Sequence, residues 1–251
     1  MTESAKLLEG LKSNRLETPH LMLTRANGIS PQPFASLNVS FNVGDTRENV
    51  LQNREKIKET LGIRHLVSAG QIHGDKIHTV HSVSIDREIA ETDALITSQS
   101  NIGLLIQQAD CQAILLYDPV QKVIGAVHCG WRGSVLNIIG KTIVRMHHEY
   151  RTNPADLQAA ISPSMGPCCA EFINYQRELP QHLHKFQTRP FYFDFWEMSR
   201  HQLLVAGVVE SNIDMLKICT TCDRRFFSYR RSTKKGSQVT GRQGSVILLS
   251  P

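Results

Sequence analysis

The sequence lacks any apolar run long enough to cross a membrane. Its longest apolar stretches, such as AILLY and SVILL, fall far short of the roughly 20 residues that a transmembrane helix needs. The N-terminal stretch MTESAKLLEGLKSNRLETPH also lacks the basic segment followed by an apolar segment that marks a secretory signal. We therefore expect a cytoplasmic protein with no membrane partner.

Internal repeats, low-complexity tracts and linkers rich in Pro, Gly or Ser are absent as well. The chain has 251 residues and a hydrophobic fraction of 41%, which is enough to build one sizeable core. We predict a single catalytic domain over residues 1–251, with a flexible N-terminal segment at 1–19.

A strong excess of charge is also lacking. The net charge is +5, from 28 basic and 23 acidic residues, and the basic residues are spread along the chain except in RRFFSYRRSTKK. Such a mild excess predicts attraction for small anions, phosphate included, rather than a nucleic-acid partner.

Short apolar runs rich in Val, Ile and Leu dominate residues 66–128 and are typical of closely spaced strands. They are LVSAG, KIHTV, ALIT, GLLIQ, AILLYD and VIGAVHC. Further strands are predicted at 21–25, 157–161, 215–219, 226–230 and 245–249.

The predicted helices lie outside this cluster of strands. One begins after a cap at Asp45 or Thr46, and another begins at GWRGSV and continues through Met146. Two more are predicted near 173–187 and 195–209. This order predicts an α+β fold, a sandwich of mixed sheets with outer helices. Neither a GxGxxG nor a Walker loop is present, so classical dinucleotide and P-loop sites are unsupported.

Three short segments concentrate residues that bind metals: 71–74 (QIHG), 109–111 (ADC) and 128–133 (HCGWRG). Two imidazoles and a thiolate from His73, Cys111 and His128 suit Zn²⁺, and three protein ligands leave one position open for water or substrate. The separations are too long for a zinc finger. The alternative is that these residues are ordinary members of strands and core.

A second functional interpretation uses the same residues without a metal. Cys111 would be a nucleophile and His128 its base, because a nearby histidine lowers the thiol pKa and supplies thiolate at neutral pH. The sequence alone does not separate ligand from nucleophile.

The GWRG segment is a candidate anion site. Gly130 and Gly133 allow close approach of the backbone, the following helix presents free N–H groups, and Arg132 offers a bidentate guanidinium for phosphate. A plain tight turn with a surface arginine is the alternative interpretation.

The remaining cysteines are the vicinal pair Cys168 and Cys169 and the CxxC pair Cys219 and Cys222. Together they could form a Cys₄ metal site. Core packing is the interpretation that the sequence favours.

The chain also contains, in this order, the blocks QIHG, ETDALIT, ADCQAILLYDP, AVHCGWRG, SPSMGPCC and CTTCDRRFFSYRR followed by TGR. With SLNVSFNVGDTRENVLQNR before them, these blocks resemble the laccase-domain family. It is also called the YfiH-type or multicopper polyphenol oxidase family, and its members include zinc-dependent purine nucleoside phosphorylases. The resemblance extends from about residue 20 to residue 249.

This resemblance implies an α/β/β/α-type sandwich whose metal is held by His73, Cys111 and His128. It implies Zn²⁺, with Cu²⁺ as the alternative. The implied reaction is phosphorolysis of adenosine, inosine or guanosine to free base and ribose 1-phosphate. Phosphorolysis of S-methyl-5′-thioadenosine and hydrolytic deamination of adenosine accompany it. The chain departs from the family pattern at Cys129, where a small residue is usual.

For phosphorolysis we expect Arg132 and the GWRG backbone to orient phosphate, assisted by Arg47 or Arg242. Asp110 is either a group that orients the site and carries a proton, or a buried acid tied to backbone N–H groups. Three aromatic residues are candidates to stack on the purine: Phe226, Phe227 and Tyr229.

Three rival functions remain open. Copper-dependent polyphenol oxidation needs many histidine ligands, mostly in HxH pairs, and the sequence has a single such pair, at His182 and His184. A thiol hydrolase or amidase would use Cys111 and His128. A metal-binding accessory protein of the cell envelope or division machinery would have no turnover.

Overall fold

Two mixed β-sheets form the centre of the computed structural model, which describes residues 8–250. In chain order the strands are β1 (Gly10–Leu11), β2 (His20–Leu23), β3 (His65–Gly70), β4 (Ile77–Thr79), β5 (Arg87–Ala90), β6 (Ala94–Thr97), β7 (Ile102–Gln108), β8 (Gln112–Asp118), β9 (Val123–Cys129), β10 (Gln158–Ile161), β11 (Gln187–Arg189), β12 (Tyr192–Phe193), β13 (Ile213–Met215) and β14 (Gln243–Leu248). The first sheet has the order β1-β2-β14-β7-β3-β5, and the second has the order β13-β10-β8-β9-β6-β4. β11 and β12 pair only with each other.

The helices are α1 (Arg47–Leu61), α2 (Trp131–Leu136), α3 (Ile138–Tyr150), α4 (Tyr175–Glu178), α5 (Phe195–Val205) and α6 (Tyr229–Lys234). Short 3₁₀ helices cover Pro154–Asp156, Gln181–Phe186 and Glu210–Asn212. Thr46 rather than Asp45 caps α1, since its hydroxyl accepts a hydrogen bond from the Asn49 amide at 3.3 Å.

The two sheets pack face to face and helices cover their outer faces. Leu104 of β7 and Leu115 of β8 belong to the apolar cluster between the sheets. The neighbouring Leu105 points the other way and packs with Ile57 of α1. Ile114 of β8 packs with α3 and α5 on the opposite side. Because both faces of the central strands are covered, their sequences read as continuous apolar runs. The predicted α/β/β/α sandwich is confirmed.

The chain crosses from the first sheet to the second three times at one end of the sandwich. β3 runs parallel to both β5 and β7, and the three crossings are the β3–β4, β5–β6 and β7–β8 connections. The end of β9 lies at the same place, because Cys129 pairs with Gln112 at the start of β8. This end of the sandwich therefore gathers segments that are distant in sequence.

Four of the predicted elements differ from the structure. The strand predicted at 215–219 lies earlier, at Ile213–Met215, where it pairs with β10. Residues 226–230 do not form a strand: the Phe227 amide donates to the Gln243 side chain at 2.7 Å, and Ser228 caps α6 instead. The helix predicted at 173–187 is divided by Pro180 into α4 and a 3₁₀ helix, since proline cannot continue a helix. The helix from GWRG is broken at Asn137, which has a left-handed φ of 54°.

The predicted flexible segment 1–19 lies only partly within the described residues, since 1–7 are outside them. From residue 8 onward it is packed on the fold. β1 pairs with β2, and Leu16 is buried in the cluster between the sheets.

Candidate metal centre and cleft

His73, Cys111 and His128 meet at the end of the sandwich where the chain crosses between sheets. Their donor atoms all lie within 4.8 Å of one another. Cys111 Sγ lies 3.9 Å from His73 Nε2, and the two imidazole rings are 4.9 Å apart between centroids. His73 lies in the β3–β4 crossing and Cys111 in the β7–β8 crossing, and His128 is the second-last residue of β9. The structure thus brings together the three residues predicted as ligands.

Asp93, in the β5–β6 crossing, holds His73 and His128 in place through hydrogen bonds. It is fully buried, and its Oδ1 accepts hydrogen bonds from His128 Nδ1 at 2.8 Å and from the His73 amide at 3.0 Å. Its Oδ2 accepts from the amides of Gly74 at 2.8 Å and Ile72 at 3.2 Å. Asp93 therefore holds the His73 loop and leaves only Nε2 of His128 available to a ligand.

Two backbone features let the three side chains approach each other. His73 has a φ of 63°, a left-handed conformation that costs free energy for a residue with a side chain; the Asp93 hydrogen bonds stabilise it. A Cβ on Gly130 would lie 3.0 Å from Cys111 Sγ and 3.1 Å from His73 Cδ2. Glycine at position 130 therefore makes room for the ligands.

The electrostatics of the group favour a thiolate. Burial opposes ionisation of Cys111, but the adjacent His128 and His73 outweigh it and lower the thiol pKa to about 6. Burial opposes protonation of His128, but Cys111 and Asp93 raise its pKa to about 9. The neighbouring Cys129 has no such partners, and burial raises its pKa to about 12. Of the two adjacent thiols, Cys111 is the one suited to bind a cation.

These donors fit a metal ion of the zinc type. Two imidazole nitrogens and a thiolate are characteristic zinc ligands, with bonds of about 2.0–2.3 Å, and donor atoms within 4.8 Å of each other can share one such ion. The Asp93–His128 pair is the carboxylate–histidine arrangement that supports metal ligands. His73 is exposed and Cys111 partly exposed, so the group is open to solvent on one side.

The group opens into a cleft of about 710 Å³. Aromatic and basic side chains line it beside the ligands: Trp131, Phe172, Tyr229, Arg132, Arg230 and Arg242. A cleft of this size suits a small-molecule ligand. Its rings can contact a planar group and its guanidiniums an anionic one, although carboxylates of Glu88, Asp110, Glu171 and Glu178 also line it.

Of the arginines predicted to bind phosphate, two line the cleft and one does not. Arg132 and Arg242 line the cleft. The Arg132 guanidinium lies 4.4 Å from the centroid of the Trp131 ring. Arg47 instead lies over Phe41, 4.9 Å from its centroid, and is not among the described residues that line the cleft.

Neither Gly130 nor Gly133 is among the described cleft-lining residues. Gly130 packs behind the ligands, and Gly133 is buried within α2 beside Ile138, whose Cγ2 would lie 3.2 Å from a Cβ at that position. Their small size serves close packing rather than contact with an anion in the cleft.

The Asp110 side chain is held by three residues from the C-terminal part of the chain. Oδ1 accepts from the hydroxyls of Thr220 at 2.7 Å and Thr221 at 3.3 Å, and Oδ2 accepts from the Arg230 amide at 2.6 Å. Only one of these donors is a backbone N–H, and Asp110 is half-buried and lines the cleft, so both interpretations of its role stay predictions. Through these bonds Asp110 fixes the start of α6, which carries Tyr229 and Arg230 at the cleft.

Of the three predicted stacking residues, only Tyr229 reaches the cleft. Phe226 and Phe227 are almost completely buried, because their segment turns into the core instead of forming a strand. Sequence reasoning missed Asp93, Phe172 and Arg230. For Asp93 the available signal was an acid directly before the apolar run ALIT, a position where an acid is unusual unless it has partners.

Fold and site together define an α+β sandwich protein with a candidate metal centre at the floor of a cleft. The model of the family described as multi-copper polyphenol oxidoreductase laccase matches residues 19–250, nearly the whole chain, and the chain belongs to this family. The resemblance expected from the sequence is confirmed.

Curated relatives share about a third of their residues with this chain. A purine nucleoside phosphorylase of Bacteroides thetaiotaomicron is 31% identical over 239 residues, covering 88% of each chain. Purine nucleoside phosphorylase YlmD of Geobacillus stearothermophilus is 32% identical over 84% of each. The crystal structure of that organism's YlmD has a TM-score of 0.85 at 28% identity, covering 100% of this chain and 98% of that one.

Among residues 8–250, no helix combines the length and apolar character of a membrane span.

Proposed function

We propose that this protein is a metal-dependent purine nucleoside phosphorylase. The observation that carries the proposal is the position of the His73, Cys111 and His128 donors on the floor of a cleft that also presents arginine guanidiniums and aromatic rings. The relatives described above are purine nucleoside phosphorylases, which supports the same activity.

Zn²⁺ is the proposed ion, with Cu²⁺ as the alternative. When bound, the ion supplies a Lewis acid that stabilises negative charge in the cleft. Within residues 8–250, the group of His73, Cys111 and His128 is the only candidate metal cluster that contains histidine. A multicopper centre needs several such groups, so the donor set favours a single zinc over laccase chemistry.

The proposed reaction joins phosphate to a nucleoside. A phosphate oxygen forms a bond to C1′ of the ribose as the glycosidic C–N bond breaks, and the electron pair leaves with the purine. The products are ribose 1-phosphate and a base that takes up a proton. Arg132 and Arg242 would bind the phosphate through charge-assisted hydrogen bonds, with net positive charge aiding its approach.

The purine is proposed to lie against the ring of Tyr229 or Phe172, since both line the cleft and aromatic faces bind planar bases by stacking. The same cleft would accept adenosine, inosine and guanosine. Phosphorolysis of S-methyl-5′-thioadenosine and hydrolytic deamination of adenosine, which releases ammonia, are proposed as accompanying activities.

A second candidate is a metal-free thiol hydrolase or amidase. The observation in its favour is the order Asp93, His128, Cys111, in which a carboxylate orients an imidazole that lowers a thiol pKa. In a thiol enzyme Cys111 would be the nucleophile, His128 its base and Asp93 the carboxylate that orients the base. A second imidazole, His73, whose Nε2 lies 3.9 Å from the sulfur, is not needed as the base of such a mechanism but completes a set of three metal ligands, which favours the metal.

The test is incubation of the purified protein with inosine, with and without phosphate, and chromatography of the products. The proposal predicts hypoxanthine and ribose 1-phosphate only when phosphate is present. Cys111→Ala should lose both turnover and one bound metal ion per chain. Cys129→Ala, which removes the adjacent buried thiol, should retain both. Metal-containing protein with no phosphate-dependent release of base would contradict the proposal, and a metal-free protein that cleaves amides would favour the thiol enzyme.

A further inference from the structure

Four cysteines outside the cleft lie together on two neighbouring loops. Cys168 Sγ is 3.7 Å from Cys169 Sγ and 3.7 Å from Cys222 Sγ, and Cys169 Sγ is 3.5 Å from Cys222 Sγ. Cys219 completes the group, in which all four sulfurs lie within 4.8 Å of one another. The core packing favoured by the sequence does not describe Cys168 and Cys222, which are exposed, whereas Cys219 is half-buried and packs against the apolar cluster beneath α3 and α5.

The spacing of the Cys168, Cys169 and Cys222 sulfurs matches one face of a tetrahedron around one ion. A zinc–sulfur bond of about 2.3 Å places neighbouring sulfurs of a tetrahedral site about 3.8 Å apart. The separations among these three sulfurs, 3.5–3.7 Å, are close to this value and much longer than a disulfide bond of about 2.0 Å. All four cysteines are free thiols.

We propose that Cys168, Cys169, Cys219 and Cys222 form a second Zn²⁺ site. Four thiolates are soft ligands that select zinc over hard cations such as Mg²⁺. Because the protein supplies all four ligands, no position is open for a reactant, and the site is structural. It is distinct from the proposed phosphorylase chemistry at His73, Cys111 and His128.

The surrounding backbone supports bound thiolates. The Gly166 amide donates to Cys219 Sγ at 3.3 Å, a hydrogen bond of the kind that stabilises sulfur ligands. The Cys222 amide donates to the Cys219 carbonyl at 3.1 Å, which closes the CxxC turn. Four thiolates around Zn²⁺ carry a net negative charge, and Arg189 brings a guanidinium to the Cys168 carbonyl at 3.2 Å.

The proposed ion would join two loops that support the cleft. Cys168 and Cys169 follow β10 and Cys219 and Cys222 follow β13, two strands that run parallel. In the first loop, the Met165 amide donates to the Asp110 carbonyl at 2.8 Å. In the second, the Thr220 hydroxyl donates to Asp110 Oδ1 at 2.7 Å. Loss of the ion should therefore loosen the two loops that support the cleft without removing His73, Cys111 or His128.

The first experiment is zinc analysis of the full chain, purified under reducing conditions without added metal. One ion is expected for each of the two donor groups. Cys222→Ser and Cys168→Ser, at exposed positions, should each lose one ion and retain the other. Cys129→Ala, a cysteine outside both groups, should retain both ions.

The second experiment leaves the four cysteines intact. In Cys111→Ala, which lacks a ligand of the cleft site, X-ray absorption at the zinc edge should show a shell of four sulfurs at about 2.3 Å. Folding of each variant is checked by circular dichroism. A Cys111→Ala protein that is folded but free of zinc, or whose zinc has a shell rich in nitrogen and oxygen, would overturn the proposal. Detection of a Cys169–Cys222 disulfide in place of zinc would do the same.

Discussion

Asp93 Oδ1 accepts a hydrogen bond from His128 Nδ1 at 2.8 Å inside the protein, with both side chains buried. The bond selects the tautomer in which Nε2 of His128 faces the candidate metal centre. The same carboxylate bonds the amides of the His73 loop. One acid therefore positions two of the three candidate ligands, although it is not a member of the donor group.

We expect Asp93→Asn to weaken zinc binding at the cleft site by about 10–100-fold, since an amide no longer fixes the imidazole and lacks the negative charge. Competition with a zinc indicator measures this affinity. Asp118→Asn is the matched control: Asp118 is also fully buried and bonds turn amides, but it lies at the opposite end of β8 from Cys111. Equal affinities in the wild type and Asp93→Asn would show that the carboxylate does not support the ligand.

Gly130→Ala should displace the ligands, because the new methyl group would lie 3.0 Å from Cys111 Sγ. We expect zinc affinity at this site and phosphorolysis to fall by about tenfold or more, in the range of other structural changes next to metal ligands. Gly74→Ala is the control, since a Cβ there meets nothing closer than 3.5 Å. If both variants bind zinc as the wild type does, the close approach at Gly130 has no functional importance.

Arg132→Ala should raise KM for phosphate by about tenfold or more, the loss expected for one hydrogen bond to a charged group, while KM for inosine changes little. Initial rates at varied phosphate concentration give this value. Arg47→Ala removes a guanidinium outside the cleft and should leave both constants unchanged. The assignment of phosphate to Arg132 fails if the two variants behave alike.

Thr46→Ala should lower the free energy of unfolding by about 1 kcal/mol, because the first turn of α1 loses its capping oxygen. Urea denaturation measures the change. Thr46→Ser keeps the oxygen and should restore most of the stability. A Thr46→Ala protein as stable as the wild type would mean that Asp45, which bonds the Thr46 amide at 2.9 Å, is sufficient for the helix start.

Most strands could be predicted from sequence because their signals are local, and His73, Cys111 and His128 could be identified as candidate ligands because their residue types bind metals and the motifs around them resemble those of the family. Apolar runs mark the strands, and an imidazole or thiol beside such a run is delivered to the end of a strand. Helix ends were less predictable. The break at Asn137 depends on a single residue in a left-handed conformation, whose side chain caps α3 by accepting a hydrogen bond from the Gly140 amide.

The partners of these residues could not be predicted, because they depend on strand pairing. Cys219 meets the vicinal cysteines only because β10 and β13 are parallel neighbours in register, with Ala160 opposite Asp214. Asp93 meets His128 for the same kind of reason, since Ala94 pairs with Val127. No spacing along the chain contains this information.

Two of the candidate ligands of the cleft site, His73 and Cys111, lie in connections that join one layer of the sandwich to the other, and the third, His128, lies near the end of β9. An unfolded chain cannot hold them near one another, so an ion bound there stabilises only the assembled state, by an amount that grows with the logarithm of its free concentration. The melting temperature should consequently rise with added zinc, and scarcity of the ion would reduce the lifetime of the protein as well as its turnover.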